Sequence, residues 1–228
     1  KGASGYAASS VTSDVTLVSD ADVTSFAVGN SIAKTVTVTY TAPAASGTGQ
    51  NMPFTDVSTG DWYYGSVYGA WKNKLISGAS ETLYKPNNTL TVAETVKLSA
   101  ALHQLQNNGQ VTLTNGTPWY STYVAYAVEH GIIEKEYLDY TPAQMHAPAS
   151  RTEFVHIFFG AMNDYEVLND IADDQIPDVK MGDKYASEIY TFYRAGILTG
   201  SGSSGVFNPS STIKRSEAAA ILNRMFDA

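Results

Sequence analysis

Three stretches of this chain align with one another without a gap: WYYGSVYGAWKNKLISG at 62–78, WYSTYVAYAVEHGIIEK at 119–135 and KYASEIYTFYRAGILTG at 184–200. Repetition on this scale constrains a fold more than composition does, because each copy must bury its apolar face against its neighbours. In every copy a branched apolar residue stands five positions after the first (Val67, Val124, Ile189) and another stands thirteen after it (Leu75, Ile132, Ile197). That spacing predicts an amphipathic helix. Gly131 and Gly196 follow two of these helices, where a helix C-terminus calls for a left-handed residue; the first copy has Lys74 instead. Each copy then runs through a loop into a second predicted helix: TVAETVKLSAALHQL (91–105), SRTEFVHIFFGAM (150–162) and KRSEAAAILNRMF (214–226). Glu94, Glu153 and Glu217 fall 32, 34 and 33 residues after the first aligned positions.

These glutamates sit where N3 of a helix should be, with Thr91 and Ser150 as N-caps, so helix capping is their expected role. Lys214 takes the third cap position, leaving that helix start less well capped locally. Arg151 and Arg215 are odder. Each falls in the first turn, where unpaired N–H groups and the macrodipole disfavour a cation by roughly 0.3–1 kcal/mol. Alone, either arginine could be a solvated residue whose stem covers apolar neighbours. Beside free helix N–H groups, however, a guanidinium makes a concentrated anion site that meets a carboxylate with a planar fork.

The first 50 residues have another texture, rich in Ser, Thr, Ala and Val. VTLVS (15–19), VTSFAV (23–28) and TVTVTYT (35–41) show the period-2 β-branched pattern of half-buried strands. Three short strands are too few for an immunoglobulin-like sandwich, so 1–41 is expected to be a β-rich remnant of one. A Pro/Gly/Ser-rich linker follows at 42–53. The repeats are then bounded at 54–116, 117–175 and 176–228, and the chain reads as an internal or processed piece of a longer protein.

The net charge of −8 and pI near 4.9 argue against sequence-independent nucleic-acid binding. Cysteine is absent, which removes disulfides and thiolate metal sites. No stretch carries enough consecutive apolar residues to insert in a membrane. The histidines at 103, 130, 146 and 156 lack metal-site spacing, and NDIADDQIPD (169–178) lacks the spaced ligands of a calcium loop, so it reads as a solvated linker. Neither a nucleophile elbow nor a phosphate-cradling loop is present. No metal, no cofactor and no catalytic residue is expected.

The ordered motifs support a family resemblance. FTDV (54–57), Trp62, Gly78, YKP (84–86) and LTVAE (90–94) form one set; Trp119, GII (131–133) and SRTE (150–153) a second; PDV (177–179), GILTG (196–200), FNP (207–209) and IKRSE (213–217) a third. Over Phe54 to Ala228, about three quarters of the chain, this resembles three tandem S-layer homology domains. The resemblance implies a mainly α fold of helix-loop-helix repeats in a pseudo-threefold bundle with grooves between neighbours. It implies a non-catalytic, extracellular role at the bacterial cell wall or S-layer: attachment to an acidic, pyruvate-ketal-bearing secondary cell-wall polysaccharide. A structural lattice unit that self-associates through protein contacts is the alternative, and an enzyme acting on wall glycans a remote third.

On this resemblance the ligand-binding set is Arg151, Arg215, Trp62, Trp119, Asp56, Asp178, Gly131 and Gly196. The tryptophans could equally be core anchors, and the aspartates could cap helices or order a turn. The pattern also departs from the family's. Val92 replaces the arginine of the first copy, Lys184 replaces the tryptophan of the third, and the second copy lacks F-x-D-V and puts Ala143 and Met145 where F-x-P belongs. The groove built on Val92 is therefore expected to be weak or silent.

Overall fold

The computed structural model describes residues 52–162, 164–201 and 205–227, together with the backbone of two strands, β1 (Ala7–Thr12) and β2 (Thr37–Thr41). The chain divides into two compact units, Lys1–Asn51 and Met52–Ala228. In the first, β1 and β2 pair antiparallel with an irregularity between Ala8 and Ser10. The strand expected at 35–41 overlaps β2. Those expected at 15–19 and 23–28, the immunoglobulin-like reading of 1–41, and most of the 42–53 linker lie outside the described residues.

The second unit is mainly helical. Its elements are α1 (Tyr64–Lys72), α2 (Val92–Asn108), α3 (Ser121–Glu129), a 3₁₀ turn at Lys135–Asp139, α4 (Pro142–Met145), α5 (Arg151–Phe159), α6 (Ala186–Arg194) and α7 (Arg215–Asp227). The short α1, α3 and α6 belong to the three aligned stretches, and α2, α5 and α7 are the second helices. Val67, Val124 and Ile189 are all buried, as are Leu75, Ile132 and Ile197, so the repeated apolar positions face one continuous core.

The helices pack in exchanged pairs. α3 lies on α2 and α6 on α5, each short helix resting on the long helix of the preceding copy, while α1 packs against α7 and so joins the first copy to the last. At the α1–α7 crossing a Cβ at Gly69 would stand 2.6 Å from Asn223 Oδ1, so a larger residue there would require the Asn223 side chain to shift.

The segments that lead into α2, α5 and α7 meet in a ring of backbone hydrogen bonds. Leu90 donates to Ile213 (3.0 Å), Ile213 to Ala149 (3.3 Å) and Ala149 back to Leu90 (2.9 Å). One step further on, Val92 donates to Ala147, Arg151 to Ser211 and Arg215 to Asn88. Buried backbone groups must find partners, and here each copy's are supplied by a different copy. Leu90, Ala149 and Ile213 are themselves buried at the centre of this ring.

The helix ends follow local chemistry. Thr91 and Glu94 form a complete capping box, with Glu94 N donating to Thr91 Oγ1 and Thr91 N to Glu94 Oε2. Ser150 Oγ accepts from Glu153 N. Lys214 cannot cap α7 with its side chain, yet its N–H still donates to Glu217 Oε2 at 2.9 Å. Gly131 and Gly196 both adopt φ +68 after their helices, and Lys74 takes φ +60 at the corresponding place. The missing glycine thus changes the cost of the turn and leaves its shape intact.

The segment read as a solvated linker is partly engaged. Arg194 Nη2 holds Asp173 at 2.7 Å and Arg194 Nε donates to Ile171 O, which ties 171–173 to the end of α6. In the second copy the 3₁₀ turn and α4 occupy the stretch where F-x-P belongs, with Met145 fully buried.

Candidate ligand-binding grooves

The two arginines are wired across the copies. Arg215 Nε donates to Tyr84 O (2.8 Å), Nη2 to Ser77 O (3.0 Å) and Nη1 to Glu94 Oε1 (3.2 Å), so its fork closes on the loop and helix start of the first copy. Arg151 is only 8% exposed. Its Nε donates to Phe207 O (2.7 Å) and its Nη1 lies 3.7 Å from Glu217 Oε1, in the third copy. Each guanidinium also covers an aromatic ring, Tyr84 at 4.8 Å and Phe207 at 5.3 Å.

Of the readings open for Arg151, a solvated surface residue does not describe its buried contacts, and a carbonyl and a glutamate of the neighbouring copy compensate its first-turn charge within the protein.

The aspartates of the F-x-D-V and P-D-V motifs have a definite occupation. Asp56 accepts from Tyr84 N and Lys85 N, both at 2.8 Å, while Asp178 accepts from Phe207 N (2.8 Å) and Asn208 N (2.6 Å). Lys85 and Asn208 carry φ +58 and +59. Each carboxylate therefore pins a left-handed turn about thirty residues downstream and thereby fixes the carbonyl that the arginine reads. Of the two readings open for these residues, turn ordering describes their contacts; the turn is a distant one, not the start of the following helix.

Three cavities lie at corresponding places. The first, about 380 Å³, is lined by Ser77 and Tyr84 of the first copy, Glu94 and Lys97 of α2, Trp119 of the second copy and Arg215 of α7. The third, about 160 Å³, has Leu198 to Ser201 of the third copy, Glu217 and Arg224 of α7, Trp62 of the first copy and Arg151. Every groove of this kind thus takes a loop and glutamate from one copy, an aromatic residue from the next and an arginine from the remaining one.

The second cavity, about 560 Å³, follows the same plan without its arginine. Glu134, Glu136, Tyr137, Tyr140 and Glu153 line it with Lys184 and Tyr185. Val92, at the arginine's place, is 3% exposed. Burial holds the Glu153 carboxyl above its ordinary range, against the opposing pull of the Ser150 amide, Lys184 and His156. His156 is held by both flanking carboxylates, with Nε2 3.0 Å from Glu134 and Nδ1 3.1 Å from Glu188, and its ring stacks on Tyr185 at 3.7 Å. Burial alone would lower its pKa, but hydrogen bonds to Glu188 and Glu134 outweigh that and raise it.

The tryptophans differ. Trp62 is 68% exposed, which excludes a core-anchor role for it, whereas Trp119 is half-buried against the core. Gly131 and Gly196 stand at helix ends and line neither arginine groove.

Lys97, Arg224, Ser77 and Tyr84 were missed as candidates. Lys97 is three residues after Glu94 and Arg224 seven after Glu217, so both share a helix face with a recognised residue; that spacing was the available signal. Among the described residues no group of three His, Asp or Glu side chains is placed to hold a metal ion, and no helix is long and apolar enough to cross a membrane.

Comparison with known sequences agrees with this geometry. Residues 53–95 and 175–219 match the S-layer homology domain, covering α1, the loop and the start of α2 in the first copy and most of the third copy. The chain is 25% identical over 182 residues to an exoglucanase XynX of Acetivibrio thermocellus, covering 76% of this chain and 16% of that protein. It is 27% identical over 157 residues to an amylopullulanase of Thermoanaerobacterium thermosulfurigenes, covering 65% of this chain and 8% of that protein. The chain thus spans less than a fifth of the length of these relatives.

Proposed function

We propose that the helical unit, two of whose segments are S-layer homology sequence, is a non-catalytic cell-wall anchoring module of a bacterial surface protein. Its three copies, 54–116, 117–175 and 176–228, form a pseudo-threefold arrangement whose grooves bind a negatively charged, pyruvylated secondary cell-wall polysaccharide. The observation that carries this reading is the placement of Arg151 and Arg215. Each lines a cavity together with the capping glutamate of one copy's second helix and a tryptophan from another copy. A guanidinium and an aromatic face are groups that recognise an acidic sugar: the fork favours a carboxylate, and the ring packs against the sugar's apolar face. Asp56 and Asp178 serve the site by holding its turns. The relatives' names are those of polysaccharide-degrading enzymes, which fits a module that keeps a larger enzyme at the cell surface.

Binding of the chain to purified wall polymer, before and after mild acid removal of its ketal groups, tests this. Affinity should fall at least about tenfold on removal, the scale of one lost charge-assisted contact. Equal affinity for both polymers would remove charge recognition from the proposal.

A lattice-assembly role is the second reading, and it draws on the adjacent exposed side chains Val167 (70%) and Leu168 (63%). Concentration-dependent association without polysaccharide, abolished by Leu168→Asp, would favour it.

A further inference from the structure

The positive charge of the first groove has a source besides its arginine. Arg215 faces Glu94 directly and donates through Nε and Nη2 to two carbonyls, so the pair presents little net charge to a ligand. Lys97, one turn along α2 and lining the same cavity, has no carboxylate within 4 Å among the described residues. Its ammonium lies instead over the rings of Trp119 (5.9 Å) and Tyr123 (5.4 Å).

We propose that Lys97 is the residue that reads charge in the first groove, contacting the carboxylate of an acidic sugar while Arg215 orients it. This rests on the anionic-glycan reading above and assigns the selectivity to a particular side chain. A half-buried ammonium over ring faces keeps its charge only at a cost, and burial lowers its pKa, with Glu94 opposing that shift and Arg215 adding to it. A ligand carboxylate relieves that cost, whereas a neutral sugar does not. The corresponding positions in the other copies explain why the grooves should differ. His156 is already paired with two glutamates, and Ala220 has no charge at all. In the third groove the second cation is Arg224, exposed and donating to Ile197 O. Among the described residues of the three cavities, only the first groove carries a sheltered cation with no ion-pair partner within 4 Å, in a cavity of a size that takes a sugar unit.

The indole N–H resonances of Trp119 and Trp62 report the first and third grooves separately in the intact chain. Titration with a methyl hexoside bearing a 4,6-pyruvate ketal should move both, with the free acid binding the first groove at least about tenfold more tightly than its methyl ester. In Lys97→Gln the Trp119-reported affinity for the acid should fall about tenfold and its salt dependence flatten. Ester affinity and the Trp62 response should stay as they were, and Lys97→Arg should retain the preference. Lys97→Met gives the same comparison if the glutamine variant melts early. Unchanged acid affinity in Lys97→Gln or Lys97→Met, with the acid still preferred, overturns the Lys97 assignment and leaves the anchoring function standing. No response to either sugar, or equal affinity for both, overturns the anionic-glycan reading and this inference together.

Discussion

Arg215 and Tyr84 hold each other across 131 residues of sequence: Arg215 Nε donates to the Tyr84 carbonyl at 2.8 Å, and the Tyr84 hydroxyl donates to the Arg215 carbonyl at the same distance. The residue expected to read a ligand is therefore also a joint between the last copy and the first. Arg215→Ala should destabilise the helical unit by about 2–3 kcal/mol, because it strands Glu94 and the Ser77 and Tyr84 carbonyls. Arg215→Lys keeps the charge but loses the fork, and should cost about half as much. Urea unfolding followed by circular dichroism measures both, and a loss below about 0.5 kcal/mol for the alanine variant would show the joint to be dispensable.

Val92→Arg should restore to the second groove the ion pair that its counterparts have. In those grooves the arginine faces the capping glutamate, Arg215 on Glu94 and Arg151 on Glu217. The new guanidinium would face Glu153, whose carboxyl now sits above its ordinary range, and should bring it down. Carboxyl-carbon NMR titration of Glu153 gives the answer; an unmoved titration would mean the arginine does not enter the groove.

His156 should make stability depend on pH in one direction. Its folded-state pKa is raised above 6.5, so the unfolded chain releases that proton first as pH increases. The stabilisation is fully present below pH 6.5 and declines as pH rises through the higher folded value. It also weakens in acid, as the Glu134 carboxyl, lowered from 4.5 mainly by its His156 contacts against the opposing effect of burial, takes up its proton. The difference in unfolding free energy between the parent chain and His156→Gln should be largest between about pH 5 and 6.5 and should shrink towards pH 9. A difference that is flat with pH would rule out ionic pairing.

Lys74→Gly should stabilise. Lys74 adopts φ +60 where Gly131 and Gly196 stand in the other copies, and a left-handed non-glycine residue costs about 1–2 kcal/mol, partly offset by the greater freedom of an unfolded glycine. A net gain of about 0.5–1 kcal/mol is expected by thermal or urea unfolding. A loss would mean that the lysine stem contributes packing which outweighs its backbone strain.

What was readable beforehand divides by range. The helices, their apolar faces, the glycine ends at 131 and 196 and the Thr91–Glu94 box could be read because each is set by residues within about four positions of one another. The wiring of the site could not. Nothing near Arg151 in the chain names Phe207 or Glu217 as its partners, and Asp56 meets Lys85 only after the fold brings the turn back to it. Repetition showed that the arginines were equivalent without showing that each serves a groove belonging to another copy. Lys97 was overlooked for a related reason: its spacing from Glu94 put it on the right helix face, but its place over the Trp119 and Tyr123 rings emerges only when the second copy is packed against α2. β1, with its Ala- and Ser-rich AASSVT, gave no alternating pattern strong enough to read.

The ring through Leu90, Ala149 and Ile213 also bears on how such a module can change. An open array of repeats has free ends, and can gain or lose a unit while its internal interfaces survive. A closed circuit has no position at which a fourth member could join without opening the ring. Removing one member would break two packing interfaces and, because each arginine groove draws on all three copies, disable both of those grooves at once. A change in what the proposed grooves bind is thereby confined to exchanging side chains within a fixed number of copies, and Val92, at the place of the two arginines, shows that the ring closes with a different side chain there.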